Sequence, residues 1–327
     1  MRTGELPAIA AALGSPVLST RPLAGGFSHE TWLFGLADRQ VVVRLGGPDP
    51  AIEAAVMTAA GRHVPVPQVL HLLPATAMPD EARPAMVVEY VGGTLLSHVL
   101  EDTTLDSRAL ASLGAEVGRV VAGISRVRFD RPGFFTDAQL TVGPERPWSQ
   151  QLPEIASACL AATDVARLDP ATQQAWRDLC VTHAPALARV DEHSRLVHGD
   201  INPKNILVTR TRNGWRVDAV LDWEFSYSGC PYGDAANMMR FGADYPAPYL
   251  DGFRSAFAAY LPADLPSAEE WAYLGRVLDM FALSDLITRP AENPVADQAA
   301  AQIRRWVADG LPDDELATLD AGGYAGR

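Results

Sequence analysis

A short strand-rich segment interrupts the mainly helical second half of this chain. Residues 196–224 read LVHGDINPKNILVTRTRNGWRVDAVLDWE, and Asn213-Gly214 separates two apolar, β-branched runs. Asn-Gly is a strong signal for a tight hairpin turn, because both residues tolerate positive φ. The sequence therefore predicts a β-hairpin that brings the residues before its first strand close to those after its second.

Polar residues lie just before the first strand of this hairpin and just after its second strand. His198 and Asp200 form His-Gly-Asp, Asn205 follows before the first strand, and Asp222 ends the second strand. Phosphoryl transfer needs an acceptor hydroxyl that is oriented and deprotonated, and Mg²⁺ held across nucleotide phosphates. A loop carboxylate can orient the hydroxyl, while an amide oxygen and a second carboxylate supply hard ligands for Mg²⁺. The pattern His-x-Asp-x-x-x-x-Asn followed by a strand-end Asp thus predicts the catalytic half of a protein-kinase-like site.

The rest of the chain has two parts of different character. Strand-like runs and one main helix predominate up to residue 91, whereas Ala-rich helical sequence predominates after Gly92-Gly93. We therefore predict an α+β, bilobal fold with a β-rich lobe at 1–91 and a larger, mostly helical lobe at 92–327. Predicted strands lie at 17–23, 30–36, 41–45 and 86–91; predicted helices lie at 8–13, 50–61, 110–124, 148–160, 170–189, 248–260, 267–286 and 294–309.

Composition and charge exclude several classes of function. Lys and Arg number 27 against 40 Asp and Glu, so the formal net charge is −13. Binding to nucleic acid needs clustered cations, and anionic membrane surfaces repel an acidic protein, so neither partner is expected. No apolar run is long enough to span a bilayer. Three cysteines without paired spacing argue against disulfides and thiolate zinc sites, and favour a cytoplasmic location.

The motifs resemble those of a known family. HGDINPKN followed by VLDWE, and GCPYGDAANMM after it, resemble the aminoglycoside phosphotransferase family, which has the protein-kinase-like fold. Choline-kinase-like, homoserine-kinase-like and macrolide-kinase-like proteins are also members. The resemblance extends over residues 17–290 and is strongest at 196–240. It implies Asp200 as the base or hydroxyl-orienting residue, His198 as support for the catalytic loop, Asn205 and Asp222 as Mg²⁺ ligands, and Asp234 as a brace.

The N-terminal lobe resembles the nucleotide-binding half of the same family. LAGGFSHETWLF would place Gly25, Gly26, Phe27 and Ser28 over the phosphates of ATP, where backbone amides favour anions. The resemblance implies that Arg44 binds phosphate, that Glu53 is its partner, and that the hinge Glu89, Tyr90 and Val91 binds the adenine edge through its backbone. Protein kinases have Lys where this chain has Arg44, but Arg also binds phosphate and carboxylate bidentately.

Together these features predict a small-molecule kinase that uses ATP and Mg²⁺ to phosphorylate a hydroxyl. The leading acceptor is a cationic aminoglycoside-type antibiotic, which would make the protein an antibiotic-resistance enzyme. The alternatives are an endogenous amino alcohol, sugar or hydroxy acid, or a catalytically silent nucleotide-binding pseudokinase. The chain between Asp222 and Asp234 lacks an Ala-Pro-Glu segment, which disfavours a protein kinase.

Both a monomer and a homodimer fit the sequence. Candidates for the acceptor wall are Asp244, Tyr245, Tyr249, Asp251, Asp279 and Asp285, although helix surface or core is the favoured reading for each alone.

Overall fold

The computed structural model describes residues 1–2, 4–23, 29–47, 50–78, 82–265 and 270–313. Within these residues the backbone forms ten α-helices and eleven β-strands. The helices are α1 (Glu5–Leu13), α2 (Pro50–Ala60), α3 (Leu96–Leu100), α4 (Ser107–Ile124), α5 (Trp148–Ala162), α6 (Pro170–His183), α7 (Tyr232–Met239), α8 (Ala247–Tyr260), α9 (Trp271–Leu286) and α10 (Pro294–Asp309). The strands are β1 (Ser19–Pro22), β2 (Glu30–Gly35), β3 (Gln40–Leu45), β4 (Val69–Leu73), β5 (Ala85–Glu89), β6 (Thr94–Leu95), β7 (Gly133–Phe134), β8 (Arg195–Val197), β9 (Ile206–Thr211), β10 (Gly214–Val220) and β11 (Tyr227–Gly229).

The chain divides into two compact units that are interleaved in sequence. The first unit comprises residues 1–104, 134–143 and 203–226, and the second comprises 105–133, 144–202 and 227–327. The hairpin thus clusters with the N-terminal residues rather than with the helices that flank it in sequence. The predicted division between residues 91 and 92 remains a prediction.

An antiparallel sheet with strand order β1-β2-β3-β5-β4 lies in the first unit. The central strand β3 alternates between buried and more exposed positions, so that Val41, Val43 and Leu45 face the core. Ile9 of α1 and Phe34 of β2 are fully buried in the same cluster. The strand was predicted from its β-branched run, and the alternation in the structure places Arg44 on the other face of the strand.

The predicted strands did not include β4. It pairs antiparallel with β5, and its register shifts between Val69 and His71. As the last strand in the sheet order it has one paired edge, and its pattern of partly exposed residues gives no clean alternation. Its backbone groups are satisfied by pairing with β5, a tertiary contact that the local sequence does not indicate.

The predicted hairpin is present as β9 and β10. The pairing runs from Thr211 opposite Gly214 to Ile206 opposite Val220, and β6 adds to the other edge of β9. Gly214 has a φ of +131°, a conformation that favours glycine. The turn and the β-branched runs therefore determined this element locally.

One predicted helix is shorter than expected. The sequence predicted a continuous helix over 170–189, but α6 ends at His183 and a 3₁₀-helix, Ala184–Arg189, follows. Pro185 lies in this turn and has no N–H to continue an α-helical ladder. Within the described residues, none of the helices combines the length and hydropathy that crossing a membrane requires.

Helices α4 and α8 of the second unit pack backbone against backbone. A Cβ atom added to Gly114 would lie 1.9 Å from the carbonyl oxygen of Tyr249, and one added to Gly118 would lie 2.4 Å from that of Phe253. From the opposite side, a Cβ on Gly252 would lie 2.1 Å from the carbonyl oxygen of Ala111. Such close approach is possible only because these positions carry no side chain.

Gly114→Ala is therefore expected to destabilise the protein. Overpacking costs about 1–3 kcal/mol, which exceeds the roughly 1 kcal/mol that alanine gains over glycine in helix propensity. The measurement is the urea midpoint, with Gly92→Ala as control because nothing lies within 4 Å of a Cβ added there. A midpoint for Gly114→Ala at or above that of the wild type would contradict the close packing.

A buried ion pair anchors α1 in the first unit. Glu5 is fully buried and accepts hydrogen bonds from Arg83 Nε at 2.9 Å and Nη2 at 3.1 Å, and from the Arg2 backbone N–H. Burial by itself would raise the pKa of Glu5, but these hydrogen bonds outweigh it and lower the pKa to about 2. The contact therefore favours the ionised carboxylate.

This depressed pKa predicts a pH dependence of stability. Because the folded pKa lies below the ordinary value of 4.5, the contribution of Glu5 is present above pH 4.5 and is lost as the pH falls towards 2. The difference in free energy of unfolding between wild type and Glu5→Gln should shrink over that range. Urea titrations at several pH values measure it, with the exposed Glu101→Gln as control. A difference that is constant with pH would contradict the assignment.

Candidate active site

Arg44 links two carboxylates within the first unit. It lies on β3 between Thr31 and Met86 of the neighbouring strands, and it is mostly buried. Its Nη1 forms an ion pair with Glu53 of α2, and its Nη2 donates to Asp222 Oδ1 at 2.6 Å. The pair of Arg44 and Glu53 was expected; the direct contact with Asp222 was not.

Nearby carboxylates stabilise the Arg44 cation. Burial disfavours the Arg44 cation, but Glu53 and Asp222 outweigh that effect and raise its pKa. Burial raises the pKa of Glu53. The Arg44 cation opposes this shift, and so does the backbone N–H of Trp223, which donates to Glu53 Oε1 at 3.1 Å. Glu224 also acts on Arg44 electrostatically. Three carboxylates, those of Glu53, Asp222 and Glu224, thus act on the Arg44 cation.

His29 is a member of this cluster that the sequence did not reveal. Its Nδ1 lies 3.2 Å from Arg44 Nη2 and 3.6 Å from Glu224 Oε2. Burial and the Arg44 cation lower the pKa of His29 to about 4, so its ring is neutral at pH 7. No metal-ligand spacing was found for the histidines in the sequence, because His29 meets Asp222 and Glu224 only through tertiary structure.

The chemistry of these donors suits Mg²⁺ better than a transition metal. Ligand atoms of His29, Asp222 and Glu224 lie within 4.8 Å of one another. Two of the three offer carboxylate oxygens, which Mg²⁺ prefers, whereas the imidazole is occupied by its contact with Arg44. The carboxylate oxygen donors fit the predicted ion.

The hairpin register places Asn205 beside Asp222. The N–H of Leu221 donates to the carbonyl oxygen of Asn205 at 2.8 Å, one residue before Asp222. Asp222 itself has a φ of +64°, in the left-handed region that residues other than glycine rarely adopt. Such strain is typical of functional positions. The two predicted Mg²⁺ ligands are therefore neighbours at one end of the hairpin.

The His-Gly-Asp loop belongs to the second unit and is braced by Asp234. The backbone N–H groups of His198 and Gly199 donate to the Asp234 carboxylate at 2.9 and 3.0 Å. The N–H of Asp200 donates to His198 Nδ1 at 3.2 Å, and the His198 side chain is fully buried. Burial raises the pKa of Asp234 to about 7, with opposition from the two backbone hydrogen bonds. His198 and Asp234 thus hold the loop that carries Asp200.

The predicted nucleotide-binding backbone is only partly described. Gly25, Gly26, Phe27 and Ser28 lie outside the described residues. Of the predicted hinge, Glu89 ends β5, and its N–H already donates to the carbonyl oxygen of Gln68 at 2.9 Å. Tyr90 and Val91 follow the strand, and the Tyr90 side chain is 45% exposed. Binding of adenine by this segment stays a prediction.

Two candidates for the acceptor wall belong to the core instead. Asp279 is buried and accepts hydrogen bonds from Arg240 and Asn237, and Tyr249 is fully buried with its hydroxyl against Met238 Sδ. These contacts agree with the favoured reading for each position alone. The remaining candidates, Asp244, Tyr245, Asp251 and Asp285, are exposed or half-buried.

A kinase-like fold with a braced His-Gly-Asp loop and a strand-end Asp paired to a basic residue defines a phosphotransferase. The chain belongs to the phosphotransferase enzyme family, whose model matches residues 19–271. The predictions of the family, of the kinase-like α+β fold and of an ATP-dependent phosphotransferase are thereby confirmed. No curated protein sequence matches the chain significantly.

Solved structures share this fold over nearly the whole chain. A thermostable mutant of aminoglycoside phosphotransferase APH(4)-Ia, in complex with ADP and hygromycin B, matches with a TM-score of 0.68 and 20% identity, covering 94% of this chain and 99% of that one. The GDP complex of an aminoglycoside 2'-phosphotransferase-IIIa mutant matches with a TM-score of 0.64 and 14% identity, covering 97% of each chain. A protein assigned as a fructosamine-3-kinase, from Haemophilus somnus 129PT, matches with a TM-score of 0.57 and 13% identity, covering 92% of this chain and 95% of that one.

Proposed function

We propose that the protein transfers the γ-phosphoryl group of ATP to a hydroxyl group of a small-molecule acceptor. The observation that carries this proposal is Arg44 held between Glu53 and Asp222. Kinases need a basic residue at the nucleotide phosphates, positioned by a helix carboxylate. Arg44 has that partner, and its guanidinium binds phosphate as readily as carboxylate.

Asp200 is proposed to act on the acceptor. Its carboxylate orients the hydroxyl and accepts its proton as the oxygen bonds to the γ-phosphorus and the bond to the β–γ bridging oxygen breaks. The proposal is direct in-line transfer with no covalent enzyme intermediate. The loop is held by hydrogen bonds from His198 and Gly199 to Asp234, which limits the motion of Asp200.

Asn205 and Asp222 are proposed to hold Mg²⁺. When bound, the ion neutralises charge on the phosphates. The residues fit, because the hairpin register places them side by side and both side chains offer oxygen donors. Arg44 contributes by orienting the Asp222 carboxylate through their hydrogen bond.

An aminoglycoside-type antibiotic is the proposed acceptor, with resistance to it as the consequence. The proposal is supported by the neighbouring structure that contains hygromycin B. A sugar or amino alcohol is the second candidate, because the fold is also shared with a protein assigned as a fructosamine-3-kinase. Fold alone does not decide between them. The silent pseudokinase is disfavoured because Asp200, Asn205 and Asp222 are all present.

We propose a cytoplasmic location, as predicted from the sequence. Cys159, Cys180 and Cys230 are all free, in keeping with a reducing cytoplasm. We propose a monomer or homodimer without nucleic-acid or membrane partners.

The test is detection of phosphorylated product by mass spectrometry. The protein is incubated with Mg-ATP and a panel of aminoglycosides, macrolides, amino alcohols, sugars and fructosamines. The proposal is supported if wild type converts an acceptor to a product about 80 Da heavier and Asp200→Asn does not. The acceptor that reacts identifies the substrate class. Tight binding of Mg-ATP by calorimetry, with no product from any acceptor and no ATP turnover, would favour the silent pseudokinase.

A further inference from the structure

A cavity of about 400 Å³ lies within the second unit, and none of the residues assigned roles above lines it. It is lined by residues at the end of α7 and from α8, α9 and α10. Its apolar lining includes Met239, Leu250 and Trp306, and its charged lining is mainly arginine. The volume is within the range of small-molecule sites in proteins. Neither the sequence motifs nor the proposed phosphoryl transfer uses this cavity.

Among the described residues, the carboxylates do not fully compensate the positive charge of the lining. Four arginines line the cavity: Arg240, Arg254, Arg276 and Arg305. Arg240 is matched by the buried Asp279, with Nη2 2.6 Å from Oδ1. Arg254 and Arg276 share a single carboxylate, that of Asp313, at 2.8 and 3.3 Å. Two guanidinium groups on one carboxylate leave a positive charge available to a ligand.

Arg305 adds a further cation to the lining. Among the described residues it has no ion-pair or hydrogen-bond partner within the distances that define one, and it lines the same cavity. Asp309, one helical turn further along α10, is the acidic lining residue and is exposed. Even with Asp309 counted, the arginines of this group exceed its carboxylates.

Trp306 provides an unused donor in the cavity wall. Its side chain is 2% exposed, and its indole Nε1 has no hydrogen-bond partner among the described residues. Buried N–H groups are rarely left unpaired, because they lose their bond to water on burial.

The state of Arg276 agrees with an excess of positive charge. Burial lowers the pKa of Arg276, and the nearby Arg254 cation adds to this, although Asp313 and Asp279 oppose it. A bound anion would favour the charged form of Arg276 and so offset both effects.

We propose that this cavity binds a small organic oxyanion, a carboxylate or a phosphate monoester on an apolar skeleton. Guanidinium groups bind both kinds of oxyanion through paired N–H donors. Met239, Leu250 and the ring of Trp306 supply a surface for the carbon skeleton. The proposal does not depend on the acceptor or on the phosphoryl-transfer site.

The test follows the indole N–H signals of the full chain by NMR, with ¹⁵N-labelled tryptophan. Trp306→Phe removes one signal and so identifies that of Trp306. The probes are phenyl phosphate, benzoate and inorganic phosphate. We expect the Trp306 signal to shift with saturation on addition of phenyl phosphate or benzoate, and whichever binds more tightly identifies the oxyanion.

Arg305→Gln measures the contribution of the unpaired cation. We expect it to weaken binding of the organic anion about tenfold, the effect of losing a hydrogen bond to a charged group. Arg212→Gln is the matched control, because Arg212 is exposed in the β9–β10 turn of the first unit and the substitution removes the same charge. It should leave binding unchanged.

Three results would overturn the proposal. The first is no saturable shift of the Trp306 signal with either organic anion. The second is equal weakening by Arg305→Gln and Arg212→Gln, which would reflect net charge alone. The third is inorganic phosphate binding as tightly as phenyl phosphate and benzoate, which would exclude a role for the apolar wall.

Discussion

Asp200→Asn is expected to lower kcat by about 10²–10⁴-fold, the usual contribution of a positioned acid–base group. The substitution keeps the size of the side chain and its backbone N–H, which donates to His198. It removes the carboxylate that would accept the hydroxyl proton. Binding of Mg-ATP and the thermal midpoint should change little, because the bracing bonds to Asp234 come from His198 and Gly199.

The measurement is kcat under saturating acceptor and Mg-ATP, alongside thermal denaturation. Asp130→Asn is the matched control, since Asp130 is an exposed aspartate of the same unit. A loss of activity below about tenfold, with a native thermal midpoint, would argue that Asp200 has no acid–base role.

Asp222→Asn should also cause a large loss, and it should change the dependence on Mg²⁺. Electrostatic stabilisation by a bound metal contributes several kcal/mol to the transition state, so removal of a carboxylate ligand should cost roughly 10²-fold or more in kcat/KM. Asparagine keeps an oxygen donor but not its charge. We therefore expect saturation with Mg²⁺ to require a higher concentration than in the wild type.

The dependence on Mg²⁺ separates metal binding from a structural role. Asp222 also holds Arg44, so a loss of activity alone would not distinguish the two. The measurement is the rate as a function of Mg²⁺ concentration, with the exposed Asp38→Asn of the same unit as control. An unchanged Mg²⁺ half-saturation in Asp222→Asn would show that the residue acts by positioning Arg44.

Several parts of the fold were predictable because their signals are local. The Asn213-Gly214 turn between β-branched runs specified the hairpin, and the β-branched run at 41–45 specified a strand. The same locality explains why Asn205 and Asp222 were expected together: a tight turn sets the register of the strands that flank it. Helix bounds were less predictable where a proline changed the last turn, as at Pro185.

Other features could not be read from neighbouring residues. Glu53 lies nine residues from Arg44 along the chain and was expected as its partner, whereas Asp222 lies 178 residues away. His29 contacts Arg44 of the same cluster only in the tertiary structure, and no metal-ligand spacing in the sequence indicates it. Burial of Asp279 against Arg240 likewise depends on the packing of α9 against α7.

By itself, the sequence determined the hairpin, the order of the motifs and the residue types needed for phosphoryl transfer. Turn chemistry and hydrophobic periodicity act over a few residues, so they can be read directly. Only the tertiary structure decided that Arg44 bridges Glu53 and Asp222, that His29 joins them, and that four arginines share one cavity. Those contacts join segments that are distant in sequence. The ionisation of the groups involved depends on their burial, which no local sequence pattern encodes.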